Sequence, residues 1–208
     1  MEVEPLNDLG LLSAQIESVQ LAKLFDDCFP DHGNWTRISG GKTICGWLLY
    51  ILNEGDHRLS HVEEWAGLRL NLLSVLLKEK ECKSLDFSDD RLGSLLDRLS
   101  QDDEWRKFEE ALGKSFLEVF VLPNQPGNID IQVIRADSFN APQFRPPGDL
   151  FNFGYTKHRR RDQTQCKVMT AAIDPFALPL AVEIVGGSGP DFEHYLPVIE
   201  RVQRQLST

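Results

Sequence analysis

The stretch LPNQPGNIDIQVIRAD, residues 122–137, divides the chain into two patterns of apolar spacing. Two prolines and a glycine at 122–128 interrupt any helix, because proline lacks the amide donor and glycine carries the largest entropy penalty. Directly after them Ile129, Ile131 and Val133 alternate with other residues, the period of a strand that buries one face. Before them the apolar residues recur at intervals of three and four. The stretch therefore predicts a helical domain over 1–121, a linker at 122–128 and a second domain of mixed structure over 129–208.

Working back from the linker, SQDDEWRKFEEALGKSFLEVF starts at Ser100. Asp102, Asp103 and Glu104 complement a positive helix start, and Trp105, Phe108, Leu112 and Phe116 form a buried stripe. LDFSDDRLGSLLDRL puts Ser88 at an N-cap, with Leu92, Leu95, Leu96 and Leu99 behind it. HVEEWAGLRLNLLSVLL at 61–77 predicts one amphipathic helix facing a core with Val62, Trp65, Leu68, Leu72, Leu73 and Leu76. ICGWLLYIL at 44–52 is a buried apolar run, and Leu21, Leu24 and Phe25 are spaced as a helix.

Working forward, three strands are expected at 129–137, 165–174 and 178–186, the second and third joined by the turn DPFA. A closing helix follows in PDFEHYLPVIERVQRQL, with Tyr195, Leu196, Ile199 and Val202 inward. The expected class is α+β.

Composition narrows the function. At 208 residues and 41% hydrophobic the chain can bury a real core. No window approaches the eighteen or so apolar residues that span a bilayer, and the acidic start MEVEPLNDLG is unlike a secretory signal, so a cytoplasmic protein without membrane contact is expected. Cys28, Cys45, Cys82 and Cys166 are scattered singly, which suits buried thiols in a reducing compartment. The formal charge of −10 is uneven: residues 1–130 carry −11 and residues 131–208 carry +1.

Against that balance, FGYTKHRRRDQTQ (153–165) gathers Lys157, Arg159, Arg160 and Arg161. A charge run alone is usually a solvated loop. Here Phe151, Phe153 and Tyr155 precede it, and aromatics beside cations can hold phosphate and pack on sugar or base. Asp137, at the expected end of the first strand, is the candidate ligand for a hard cation, although a lone carboxylate also serves as a simple strand cap. GGKT at 40–43 lacks both the first glycine and the leading strand of a phosphate-binding loop. His57 and His61 lie four apart, but Arg58 stands where a zinc protease needs Glu, so a packed or hydrogen-bonded pair is expected.

Taken together, HGNW (32–35), WLLYILNEGDHRLSHVEEW (47–65), LDFSDDRL (85–92), RADS (135–138), FGYTKHRRRDQTQCKVM (153–169) and PLAVEIVGGSGPDFEHYLPVIERV (179–202) resemble bacterial insertion-sequence DDE transposases. Within the insertion-sequence-four superfamily they are similar to the branch with an N-terminal helical domain of unknown function. The resemblance implies the first three strands and a helix of an RNase H-like core that cuts and joins DNA with Mg2+ or Mn2+. It places Asp137 as the first metal-ligating and catalytic carboxylate. The family's loop pattern falls on Phe153, Gly154, Tyr155, Thr156, Lys157, Arg160, Asp162 and Gln165, with Arg161 where proline is usual and Gln163 where an apolar residue is usual.

The second Asp and the later Glu of such cores have no counterpart after the closing helix. The sequence therefore reads as a shortened transposase with weak or absent metal binding and no activity alone, or alternatively as a non-catalytic module that binds DNA or a transposase. Expected partners are transposon-end or target DNA through Lys157, Arg159, Arg160 and Arg161, and another copy or a full-length transposase through the acidic helices. Glu183 and Asp191 are the remaining carboxylates near the core.

Overall fold

The structure, a computed structural model, describes residues 4–31, 37–121, 133–155, 162–174 and 177–206. The chain forms two compact units, Met1–Ser115 and Phe116–Thr208. The expected linker at 122–128 and the start of the expected first strand at 129–132 lie outside the described residues. Among the described residues the structure is α+β, with eight α-helices and one three-stranded sheet.

The first unit is helical: α1 Leu9–Ser18, α2 Leu21–Cys28, α3 Gly40–Glu54, α4 Val62–Gly67, α5 Leu70–Leu76, α6 Asp89–Leu99 and α7 Asp102–Phe116. Its core collects Phe25, Phe87, Leu9, Ile38, Leu49, Leu73, Leu92 and Leu95, all fully buried. Phe25, Phe29 and Phe108 form an aromatic cluster with centroids 4.8–6.0 Å apart. The start of α3 explains the GGKT sequence. A Cβ on Gly41 would overlap the Ala22 carbonyl, so glycine is what lets α2 and α3 touch. Asp26 accepts from the Gly41 amide at 2.6 Å and Asp31 from the Gly40 amide at 3.2 Å, while Ser39 caps Lys42 N. Protein carboxylates thus occupy the amides where a phosphate would bind.

One expectation fails in this unit for a local reason. The helix over 61–77 is broken into α4 and α5, and Leu68 faces solvent. At the break the Arg69 guanidinium donates to the Trp65 carbonyl at 3.2 Å and stacks 4.9 Å from the Trp65 ring. Arg69 N bonds back to Ala66 O instead, so the i→i−4 ladder stops. Of the two histidines expected to be packed or hydrogen-bonded, His61 has Nδ1 3.2 Å from Asp56, while His57 is exposed.

The second unit is an antiparallel meander, β1 Ile134–Gln143, β2 Thr164–Ile173 and β3 Leu178–Gly186, in that order across the sheet. The helix α8, Phe192–Leu206, covers one face. Met169, Ala171 and Ile173 of β2 meet Leu180, Ala181 and Val185 of β3 and Val198 and Val202 of α8, joined by Leu117 and Val121. β2 and β3 lie within one residue of expectation. β1 does not: it runs six residues past Asp137, which is therefore inside a strand rather than at its end. The face of α8 is also rotated. Val198, Val202 and Gln205 are buried with Tyr195 half-buried, whereas Leu196 is exposed. Gln205 is tolerated inside because its Nε2 donates to Leu180 O at 2.9 Å.

Candidate functional site

The site follows from the alternation of β1. Ser138 shares the covered face, since its Oγ donates to Asp191 at the start of α8 at 2.7 Å. Successive side chains of a strand point to opposite faces, so Asp137 belongs to the uncovered face with Arg135 and Phe139. Register puts Asp137 beside Thr170 and Val182, and sets Phe139, Val168 and Ile184 in the next row. Phe139 is 56% and Ile184 57% exposed, so this face is open. Asp137 itself is exposed, and its carboxylate accepts from the Ser138 amide at 2.8 Å.

Below the opposite face, Lys167 is buried on β2 and reaches the N-terminal end of α8. Its Nζ donates to Asp191 at 2.5 Å and to the Gly189 carbonyl. The Lys167 bond first, and the Ser138 bond second, hold the Asp191 carboxyl below the usual carboxylate value. Glu183 faces Arg201, with an N–O distance of 3.4 Å. Both carboxylates considered as companions to Asp137 are thus on the other side of the sheet and already paired.

The test for a divalent ion is therefore direct. Mg2+ needs converging oxygen ligands, and two-ion chemistry needs several carboxylates at once. Among the described residues no group of three or more His, Cys, Asp or Glu side chains is placed to hold a metal ion. Asp137 alone does not fit such an ion.

The basic quartet, Lys157, Arg159, Arg160 and Arg161, lies outside the described residues. Both ends of the segment that carries it are described, and one side chain ties them together. Gln165, fully buried, pairs its backbone with Asn152 in both directions at 3.0 Å. Its Nε2 donates to Tyr155 O and to Gly187 O, each at 3.1 Å. Asn140 Nδ2 adds a second donor to Tyr155 O at 2.9 Å. The strands come too close here for side chains. A Cβ on Gly154 would overlap Gly187 O and the Gln165 amide, and a Cβ on Gly187 would overlap Gln165 O. Around this base Tyr155 and Phe153 are exposed, and the Arg145 guanidinium lies 5.5 Å from the Phe151 ring centre.

Several of these roles escape sequence reasoning. Gly154 and Gln165 appear there as pattern matches without a physical role, and Asn140, Ser138 and Lys167 do not appear as site residues at all. For Lys167 a signal existed: it shares the parity of Met169, Ala171 and Ile173, the buried side of β2, where a charge needs a partner.

A family model described as a domain of unknown function, DUF4277, matches residues 1–111. That is more than half of the chain, which therefore belongs to this family. No curated protein and no solved structure matches the chain.

Proposed function

We propose that this DUF4277 member is a DNA-binding protein of the insertion-sequence DDE transposase kind. In this reading its second unit is the opening of an RNase H-like core, and Lys157, Arg159, Arg160 and Arg161 meet DNA phosphates. Asp137 is the family's first carboxylate. The observation that carries the reading is the Gln165 clamp: a buried amide, two space-limited glycines and Asn140 fix the base of a segment whose sequence is basic and whose rim is aromatic. A solvated loop does not need such a base. A phosphate-binding one does, because contacts made on a rigid stem lose less entropy on binding. The N-terminal match to a domain of unknown function agrees with the helical domain that the resemblance implied.

Binding without cutting is the reading favoured by the described carboxylates, since Asp174, the acid that pairs with Arg135 at 2.7 Å, is already committed and no group of three metal-ligating side chains forms among the described residues. Fluorescence anisotropy with duplex DNA over a range of salt tests it. If about three cations meet phosphates, the log-log slope is about −2.7, from roughly −0.9 per contact. Replacing all four basic residues by Ala flattens the slope. An unchanged slope returns the segment to a solvated loop. Metal-dependent nicking by the protein, lost in Asp137→Asn, would show that binding is only part of its activity.

A further inference from the structure

We propose that the helical unit holds a binding site for a small apolar carboxylate, in the cavity between α1, α2, α3 and α5. The cavity measures about 280 Å3, and its wall is apolar: Ile16, Leu21, Leu49, Leu76 and Leu77, with the Cys45 thiol among them. Its rim is cationic. Lys23, Lys42 and Lys78 come from α2, α3 and the end of α5, and Glu17 is the one carboxylate lining it.

Three features select the ligand's chemistry. Lysine surrounds this cavity in a unit that is otherwise strongly acidic, so the local charge is opposite to that of its surroundings. Lys23 has no carboxylate partner among the described residues, which leaves a cation for an incoming anion. The other two lysines are held by ion pairs, and Lys42 Nζ also donates to the Lys78 carbonyl at 3.3 Å. Lys42 Nζ lies 2.6 Å from Glu79, and Lys78 pairs with Glu17. Solvent-accessible pairs of this kind contribute little to stability and open readily to a competing carboxylate. At the lip, Gln20 and Lys78 both adopt left-handed backbone, at φ of 54° each. Neither is glycine, so this conformation costs free energy that the surrounding packing must offset.

Size completes the description. At about 280 Å3 the cavity sits at the small end of ordinary small-molecule sites. A straight or branched carboxylate of eight to ten heavy atoms fills it.

Titration calorimetry of the full chain with saturated carboxylates from hexanoate to dodecanoate tests the site. The expected result is one ligand per chain, with Kd falling about fourfold per methylene and levelling off at about ten heavy atoms, the size of octanoate. Octylamine and octanol bind more weakly than octanoate. Lys23→Ala and Lys42→Ala each weaken octanoate by about three- to fivefold, and Glu17→Gln strengthens it by a similar factor through release of Lys78. Ala22→Leu, which adds volume at the wall, blocks binding while thermal unfolding shows the unit still folded. If Ala22→Leu unfolds the protein, the chain-length cutoff and the opposite signs of Lys23→Ala and Glu17→Gln still decide. Affinity that keeps rising to dodecanoate, equal binding of the amine, or no binding at millimolar ligand overturns the proposal.

Discussion

The helical unit holds its buried Asp86 among internal cations, whereas the sheet unit leaves the carboxylate of Asp137 on an open face with no ion pair among the described residues. In the first, Asp86 has no solvent exposure and is held by Arg37 at 2.7 Å, by Arg91 at 3.4 Å and by the Lys83 amide at 2.8 Å. Asp26 and Asp31 cap α3, and Glu54 accepts from Trp65 Nε1 at 2.9 Å. In the second, Lys167 and Asp191 are consumed beneath α8, but Asp137, Phe139 and Ile184 stand on an open sheet surface. Residues that the fold explains give no reason to invoke a ligand. Residues that the fold leaves unexplained are where function is to be sought.

The largest expected effect breaks the first half of this contrast. Asp86→Ala leaves two arginines without their shared partner, one of them mostly buried, and removal of one member of a buried ionic group costs about 3–5 kcal/mol. Urea unfolding followed by tryptophan fluorescence measures it. A loss below 1 kcal/mol would mean that Asp86 is not what holds Arg37 and Arg91. The LDFSDDRL motif would then need a role other than structure.

Gly154→Ala comes next and probes the boundary between scaffold and function in the sheet unit. The added methyl would overlap backbone at Gly187, and overpacking of this kind costs about 1–3 kcal/mol. DNA affinity is expected to fall by more than the loss of stability explains, because the damage lies at the base of the basic segment. Retained sheet content by circular dichroism, with weakened DNA binding, separates the two effects.

How far these distinctions could be read from the sequence depended on whether their causes were local. Helical against alternating spacing located the two kinds of structure, and β2 and β3 were bounded well because turn residues flank them. β1 ends six residues later than expected, because the apolar alternation of Ile129, Ile131 and Val133 breaks at Ile134 and nothing local says how far the pairing with β2 runs. The α4–α5 break depends on Arg69 turning back onto Trp65, a side-chain event that periodicity cannot carry. In the candidate site, the cations and aromatics were visible as residue types. The clamp was not, because Gln165 bonds carbonyls 10 and 22 positions away in sequence.

A smaller effect sharpens the comparison through two thiols. Burial pushes Cys45 in α3 from 9.0 up to about 12, and also raises Cys166 in β2. Above pH 9 the unfolded chain loses the Cys45 proton while the folded one keeps it. The unfolded state then binds fewer protons, so stability falls as pH rises from about 9 towards 12, by about 1.4 kcal/mol per pH unit. Tyr50, raised from 10.0 to about 12, adds a loss of the same sign above pH 10. Chemical unfolding of Cys45→Ala between pH 9 and 10 should therefore show a shallower decline than the parent. Cys166→Ala should change the slope less. Equal slopes in all three proteins would mean that the thiols are solvated in the folded state.

The smallest expected change in stability is at Asp137, and it bears most directly on function. Its carboxylate is exposed and makes one short bond, to the amide of the next residue, which an Asn side-chain oxygen can also accept. Asp137→Asn should therefore shift unfolding by no more than about 0.5 kcal/mol, the usual range for surface positions. Asp191→Asn is the control on the opposite face. It removes a charge that Lys167 needs, and it should destabilise more, increasingly so above the pH where the carboxylate ionises, because the stability due to a depressed carboxylate is lost only as pH falls. If Asp137→Asn is the more damaging of the two, Asp137 is a structural residue and its place in the proposed site falls. If it is neutral for folding, the strand carries a fixed carboxylate on an open face that stability does not require. Neutralising it should then slightly tighten DNA binding, since removing a negative charge near phosphate reduces repulsion.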